Sequence, residues 1–224
     1  MRPGKRALIF EMEAPSHAAR RASRWRFTAP TMELATAAIP RQPSWPVYPR
    51  NSMTVAVHEA AHLVLALKVD RDSRDTQYVA RVSPTGSGAV ETWRSGKRVS
   101  AAGGMIDHPP VLPDPEFWRP AALNRAAVYM AGLAAEVLFH DCVDEVVGWP
   151  HLEDYPDLQN ASRFLAFGWP EHHGGPLWLA WRHTLWMLTH DETWDWVMRV
   201  ASEIDQRGCC DSAMAHHLRE ARAC

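Results

Sequence analysis

The residues best placed to do chemistry are His58-Glu59-Ala60-Ala61-His62, set in an apolar run from Met53 to Leu67. On a helix, side chains four apart share a face, so both imidazoles can reach one metal ion. Glu59 follows the first histidine by one position and can point at water in an open coordination site. Two histidine ligands and a glutamate base form the zinc-hydrolase arrangement, with one Zn2+ expected per chain. Nearly every neighbour is apolar, so the helix should be buried on all sides. Three ionisable groups are costly to bury there without partners, and a metal supplies one.

Such a site needs a third protein ligand. A third histidine in the HExxHxxGxxH pattern is ruled out, because Leu65 stands at the glycine position and Lys68 at the histidine position. Glu136, the sole acid of Met130–Phe139, is one candidate, either as a ligand or as a carboxylate behind a ligand. Asp154 and Asp157 are the others. They sit at an expected helix start, where free amides and the helix dipole favour the ionised form. Asp157 could equally be a first-turn acid with Asp154 as N-cap.

The elements that must position these groups read as mostly α with a small hairpin, an α+β class. After the His58 helix, 77–82 reads as a strand, 83–88 as a turn and 89–93 as a second strand. Residues 94–115 read as loop. A long helix is expected from Pro120 to Phe139, its Ala131-Gly132 stretch permitting close helix approach. Another should start at 154–157 and run to Phe167. Three more are expected over 177–188, over 192–206 with a stop at Gly208, and from an Asp211 cap to Arg222. Trp178, Trp181, Trp186, Trp194 and Trp196 read as core. His172-His173 and His216-His217 read as solvated.

The net charge of −2 over 224 residues gives no general signal for nucleic acid. It is uneven, however: residues 1–50 carry nine Lys/Arg against Glu11, Glu13 and Glu33, a balance of +6. This Pro-rich segment lacks a sustained period and reads as disordered, with 41–49 an extended linker. The domain proper is then 51–224. No run looks able to span a membrane: the best one, the His58 helix, is short and interrupted by ionisable groups. The four cysteines (Cys142, Cys209, Cys210 and Cys224) show neither CxxC spacing nor a disulfide framework, which fits a reducing cytoplasm. No Walker A sequence is present, so ATP-driven unfolding within this sequence is not expected.

Four segments in order carry a resemblance to the proteolytic domain of the FtsH-type zinc proteases. His58-Glu59-Ala60-Ala61-His62 resembles the family's HEAGH motif, with Ala61 for Gly. Val79–Pro84 followed by Gly88 is similar to its strand–turn–strand. Ala131-Gly132-Leu133-Ala134-Ala135-Glu136 resembles its GGRAAE helix, with Leu133 for Arg. Asp157-Leu158-Gln159-Asn160-Ala161-Ser162 resembles its D-L-x-x-A-T segment.

The resemblance implies that Asp157 is the third zinc ligand beside His58 and His62, with Glu59 catalytic and Glu136 behind the ligands. It also implies metalloendopeptidase activity on unfolded or extended polypeptides. Ala89, Val90, Glu91 and Thr92 would form an edge strand pairing with substrate backbone. Family members carry an AAA+ ATPase module and form hexameric rings, so a separate ATPase partner and a homo-oligomer are expectations of the same kind. A rival from another class is a zinc-binding regulatory or adaptor protein that keeps the fold without proteolysis. Glu59 distinguishes the two, since a structural site has no use for a general base.

Overall fold

Fourteen consecutive residues, Thr54–Leu67, are buried in helix α1 (Ser52–Val69), so the apolar run around the two histidines forms the centre of the molecule. In this computed structural model, residues 48–70, 75–100, 115–146, 155–170, 176–190 and 192–221 are described. Asn51 caps α1, its side chain accepting from the Thr54 amide at 2.8 Å. The run is longer than the sequence reading allowed. By length and composition alone, α1 and the 116–139 stretch could each cross a bilayer. Yet 72% and 78% of those windows lie inside the fold, which accounts for their apolar character.

The sheet covers one side of α1. Strands β1 (Thr76–Val82), β2 (Gly88–Arg94), β3 (Lys97–Ser100) and β4 (Cys209–Asp211) form one antiparallel sheet in the order β3-β2-β1-β4. Alternation sets its faces: Tyr78, Ala80, Val90 and Thr92 point inward and are buried, and the intervening residues are more exposed.

Two strands depart from the sequence reading. β3 lies within the stretch read as loop, joined to β2 by Ser95 (φ 48°) and Gly96 (φ 74°). Two successive positive-φ residues make the hairpin turn whose twist matches its strands. The Ser-Gly dipeptide was the available signal. β4 follows Gly208 (φ 75°), which ends a helix in the left-handed conformation and lets the chain pair with Val79–Arg81. The small hairpin is therefore a four-stranded sheet.

Further helices surround α1 and one another: α2 (Pro115–Phe139), α3 (Pro156–Gly168), α4 (Leu177–Thr189), α5 (Thr193–Arg207) and α6 (Ser212–Glu220). α2 lies against α1, α3 and α4, and α5 against α1. α2 begins at Pro115, five residues before the expected Pro120, which sits inside its second turn. The proline removes one backbone bond there. Tertiary contacts hold the extra turns. Arg119 donates to the Gly168 carbonyl at 2.9 Å and lies 5.5 Å from the Trp169 ring centroid. Asp211 caps α6, accepting from the Met214 amide at 2.8 Å. Trp181, Trp194 and Trp196 are buried in the core; Trp178 and Trp186 pack against it.

Candidate metal centre

α1 presents His58 and His62 on the face turned to α2 and α3. Their outer nitrogens converge: His58 Nε2 lies 3.1 Å from His62 Nε2. Asp157 Oδ2, from the first turn of α3, is 3.3 Å from the former and 3.4 Å from the latter. Pro156 opens α3 at a position where no amide is needed. The dipole there favours the Asp157 carboxylate.

The inner nitrogens decide what this triangle can hold. His58 Nδ1 is 2.6 Å from Glu136 Oε1, and His62 Nδ1 is 2.6 Å from the Val128 carbonyl. A carboxylate and a carbonyl only accept, so both Nδ1 atoms must donate. In the neutral rings each Nε2 then carries a lone pair. Two such nitrogens and a carboxylate oxygen repel one another at 3.1–3.4 Å unless a cation sits between them. Tetrahedral N/O ligands at about 2.0–2.1 Å from zinc stand about 3.3–3.4 Å apart. The donor set and spacing fit such an ion. His58, His62 and Asp157 are therefore a candidate metal-binding triad.

The titration behaviour of the protein groups agrees. Burial alone would pull the His58 pKa down. Hydrogen bonds donated to Asp157 and Glu136 and the charges of Glu59 and Glu136 outweigh it and hold it at about 10. A proton favours the spot a metal would take. Burial would raise Asp157, but the charge of His62 and hydrogen bonds from both histidines hold it well below the carboxylate range. Glu136 is likewise lowered despite burial, by His58, Arg50 and Tyr48. Glu59 moves the other way: burial raises it, only partly opposed by the two histidines.

Glu136 stands behind His58, its carboxylate on Nδ1 and outside the His58, His62 and Asp157 cluster. It accepts further bonds from Tyr48 Oη and Arg50 Nη2, each at 2.8 Å. Tyr48 stacks on His140, whose Nε2 is 3.1 Å from Thr54 Oγ1. Tyr48 and Arg50, assigned by sequence to the N-terminal segment, thus belong to the site. Only their type, an aromatic and a cation beside the helix cap, could have flagged them.

Two glycines were also missed in this role. A Cβ on Gly132 of α2 would lie 2.3 Å from His58 Nε2. A Cβ on Gly88, at the start of β2, would lie 2.3 Å from Glu59 Oε1. Bare backbone therefore walls both the His58 ring and the Glu59 carboxylate.

The strand residues need correction. β2 is an inner strand at Thr92, which pairs with Ser100 of β3, so Thr92 offers no free edge. Val90 and Thr92 are buried toward α1, and Glu91 engages Arg81 and Arg98. Of Ala89, Val90, Glu91 and Thr92, the stretch beyond the β3 pairing is only Ala89–Glu91 among the described residues. Asp154 and His172-His173 lie outside the described residues. His216 and His217 are exposed.

Compared with family models, curated proteins and solved structures, the chain matches none.

Proposed function

We propose that this chain is a zinc-dependent metalloendopeptidase acting on extended or unfolded polypeptides. The observation that carries the reading is the convergence of His58, His62 and Asp157 at ligand spacing, one residue from a buried glutamate. His58 Nε2, His62 Nε2 and Asp157 Oδ2 would hold the ion. Three protein ligands leave the open position of a catalytic rather than a closed structural site.

Zinc there supplies Lewis-acid chemistry, lowering the pKa of water and polarising a carbonyl. Glu59 accepts the proton of the attacking water on its carboxylate and passes it to the leaving amide nitrogen. Its pKa, raised by burial, makes it a stronger proton acceptor than an exposed carboxylate. Glu136 fixes the His58 tautomer, and the Val128 carbonyl fixes that of His62. Gly88 leaves the Glu59 carboxylate unobstructed.

Elemental analysis of the purified protein should find about one zinc per chain. Glu59→Gln should keep that zinc and abolish cleavage of casein, and a chelator should abolish it in the unaltered protein. Zinc well below one per chain, or cleavage surviving in Glu59→Gln, would sink the proposal. Full zinc with no cleavage of any unfolded substrate would favour a regulatory zinc protein.

A further inference from the structure

Beside the triad, rather than over it, lies a groove of about 570 Å³. Its walls are Arg50 just before the α1 cap, the start of α1 (Ser52 and Val55), the β1–β2 turn (Pro84 and Thr85) and the end of α5, including Asp205. That volume falls in the range of ligand-binding clefts. Three links join it to the site. Val55 is one turn before Glu59 on the same face of α1. Val82, also on the wall, pairs with Gly88, which abuts the Glu59 carboxylate. Arg50 hydrogen-bonds Glu136 behind His58, and its charge reaches Glu59.

Arg50 is the distinctive member. Its side chain is 56% exposed, and the bond to Glu136 uses one of its five N–H donors. The guanidinium is thereby held in place at the groove wall, with donors left for a planar oxyanion. Asp205 on the α5 wall sets an opposite charge away from α1, so the groove is not uniformly attractive to anions.

We propose that this groove is a specificity subsite, and that Arg50 selects a substrate segment bearing a carboxylate side chain beside the bond to be cut. The identity of the ligand as a peptide rests on the peptidase reading; the preference for a carboxylate rests on the groove. An acidic residue there would accept a charge-assisted, two-point hydrogen bond from Arg50, which its amide analogue cannot match.

The test uses the zinc-loaded Glu59→Gln protein, which binds without cutting. Two labelled, end-capped peptides of Ala, Leu and Ser are compared, one with a central Glu and its twin with Gln, by fluorescence anisotropy. The Glu peptide should bind about tenfold tighter. The preference should shrink as salt is raised. Adding Arg50→Gln should bring the two within about twofold, with zinc content measured in the same sample. Because Arg50 also touches Glu136, Thr85→Trp provides a second arm on the turn, away from the ligands: it should weaken both peptides several-fold. Equal affinity for the two peptides overturns the proposal. So does a Glu preference that survives Arg50→Gln with zinc intact, or a Thr85→Trp protein that binds normally. Selective binding without cleavage by the unaltered enzyme would refute the peptidase reading alone, and cleavage without selectivity the subsite alone.

Discussion

Gly132→Ala tests the metal centre through a single methyl group. The added Cβ would lie 2.3, 2.4 and 2.5 Å from Nε2, Cε1 and Cδ2 of His58. Carbon contacts are comfortable at about 3.5 Å, so the ring or α2 must move by about 1 Å. The ring cannot swing freely, because Nδ1 is bound to Glu136 at 2.6 Å and the residue is buried. Metal–ligand distances tolerate about 0.2 Å. The triad should therefore lose at least the 10–100-fold in affinity that follows disruption of a ligand's orientation.

Stability without metal should change less. Alanine gains about 1 kcal/mol over glycine in a helix. Overpacking costs about 1–3 kcal/mol, leaving a net loss of about 0–2 kcal/mol. With metal in excess, a 100-fold weaker site forfeits about 2.7 kcal/mol of ligand stabilisation. For a chain of this size that is a further drop of roughly 5–10 °C in Tm. Competition with a chromophoric zinc chelator gives the affinity. Thermal unfolding with zinc and with chelator gives the two stabilities. Wild-type zinc affinity in Gly132→Ala would refute the argument that bare backbone is needed beneath His58.

Gly88→Ala should do the reverse, keeping the zinc while displacing the Glu59 carboxylate, so peptide cleavage falls at least tenfold at full metal content; loss of zinc instead would count against the division of labour between the two glycines. Glu136→Gln weakens the partner of His58 Nδ1 and should lower zinc affinity about 10–100-fold by the same chelator competition, an unchanged affinity removing Glu136 from the site. In metal-stripped protein, His58 is raised from 6.5 to about 10, so its contribution to stability is complete below pH 6.5 and lost as pH rises through 10. Urea midpoints between pH 7 and 10 should reveal that contribution as an alkaline loss that zinc suppresses, and identical profiles with and without zinc would contradict it. At the acid end, Asp157 and Glu136 are held below their usual values, so their contributions are present above about pH 4–5 and disappear as pH falls further.

What local sequence could determine is what local geometry repeats. The i, i+4 histidines and the unbroken apolar run specify α1 and two candidate ligand positions, because helical periodicity is set by the backbone alone. Gly208 and Asp211 likewise mark the end of α5 and the start of α6 through capping rules confined to a few residues. Asp157 was legible as an acid in a helix's first turn, but residue type alone did not separate it from Asp154 and Glu136.

Tertiary structure brings Asp157, 99 residues from His58, to the candidate triad and sets Glu136 on the far nitrogen of His58. Tyr48 and Arg50 reach Glu136 across 88 and 86 positions, from a segment whose composition suggested no fold. β4 exists because Gly208 turns the chain onto β1, and Pro120 stays helical because Arg119 is anchored on Gly168 and Trp169. The roles of Gly88 and Gly132 are the clearest case: a missing side chain leaves no chemical signal in sequence, and its function is the space it concedes to a group held by another element.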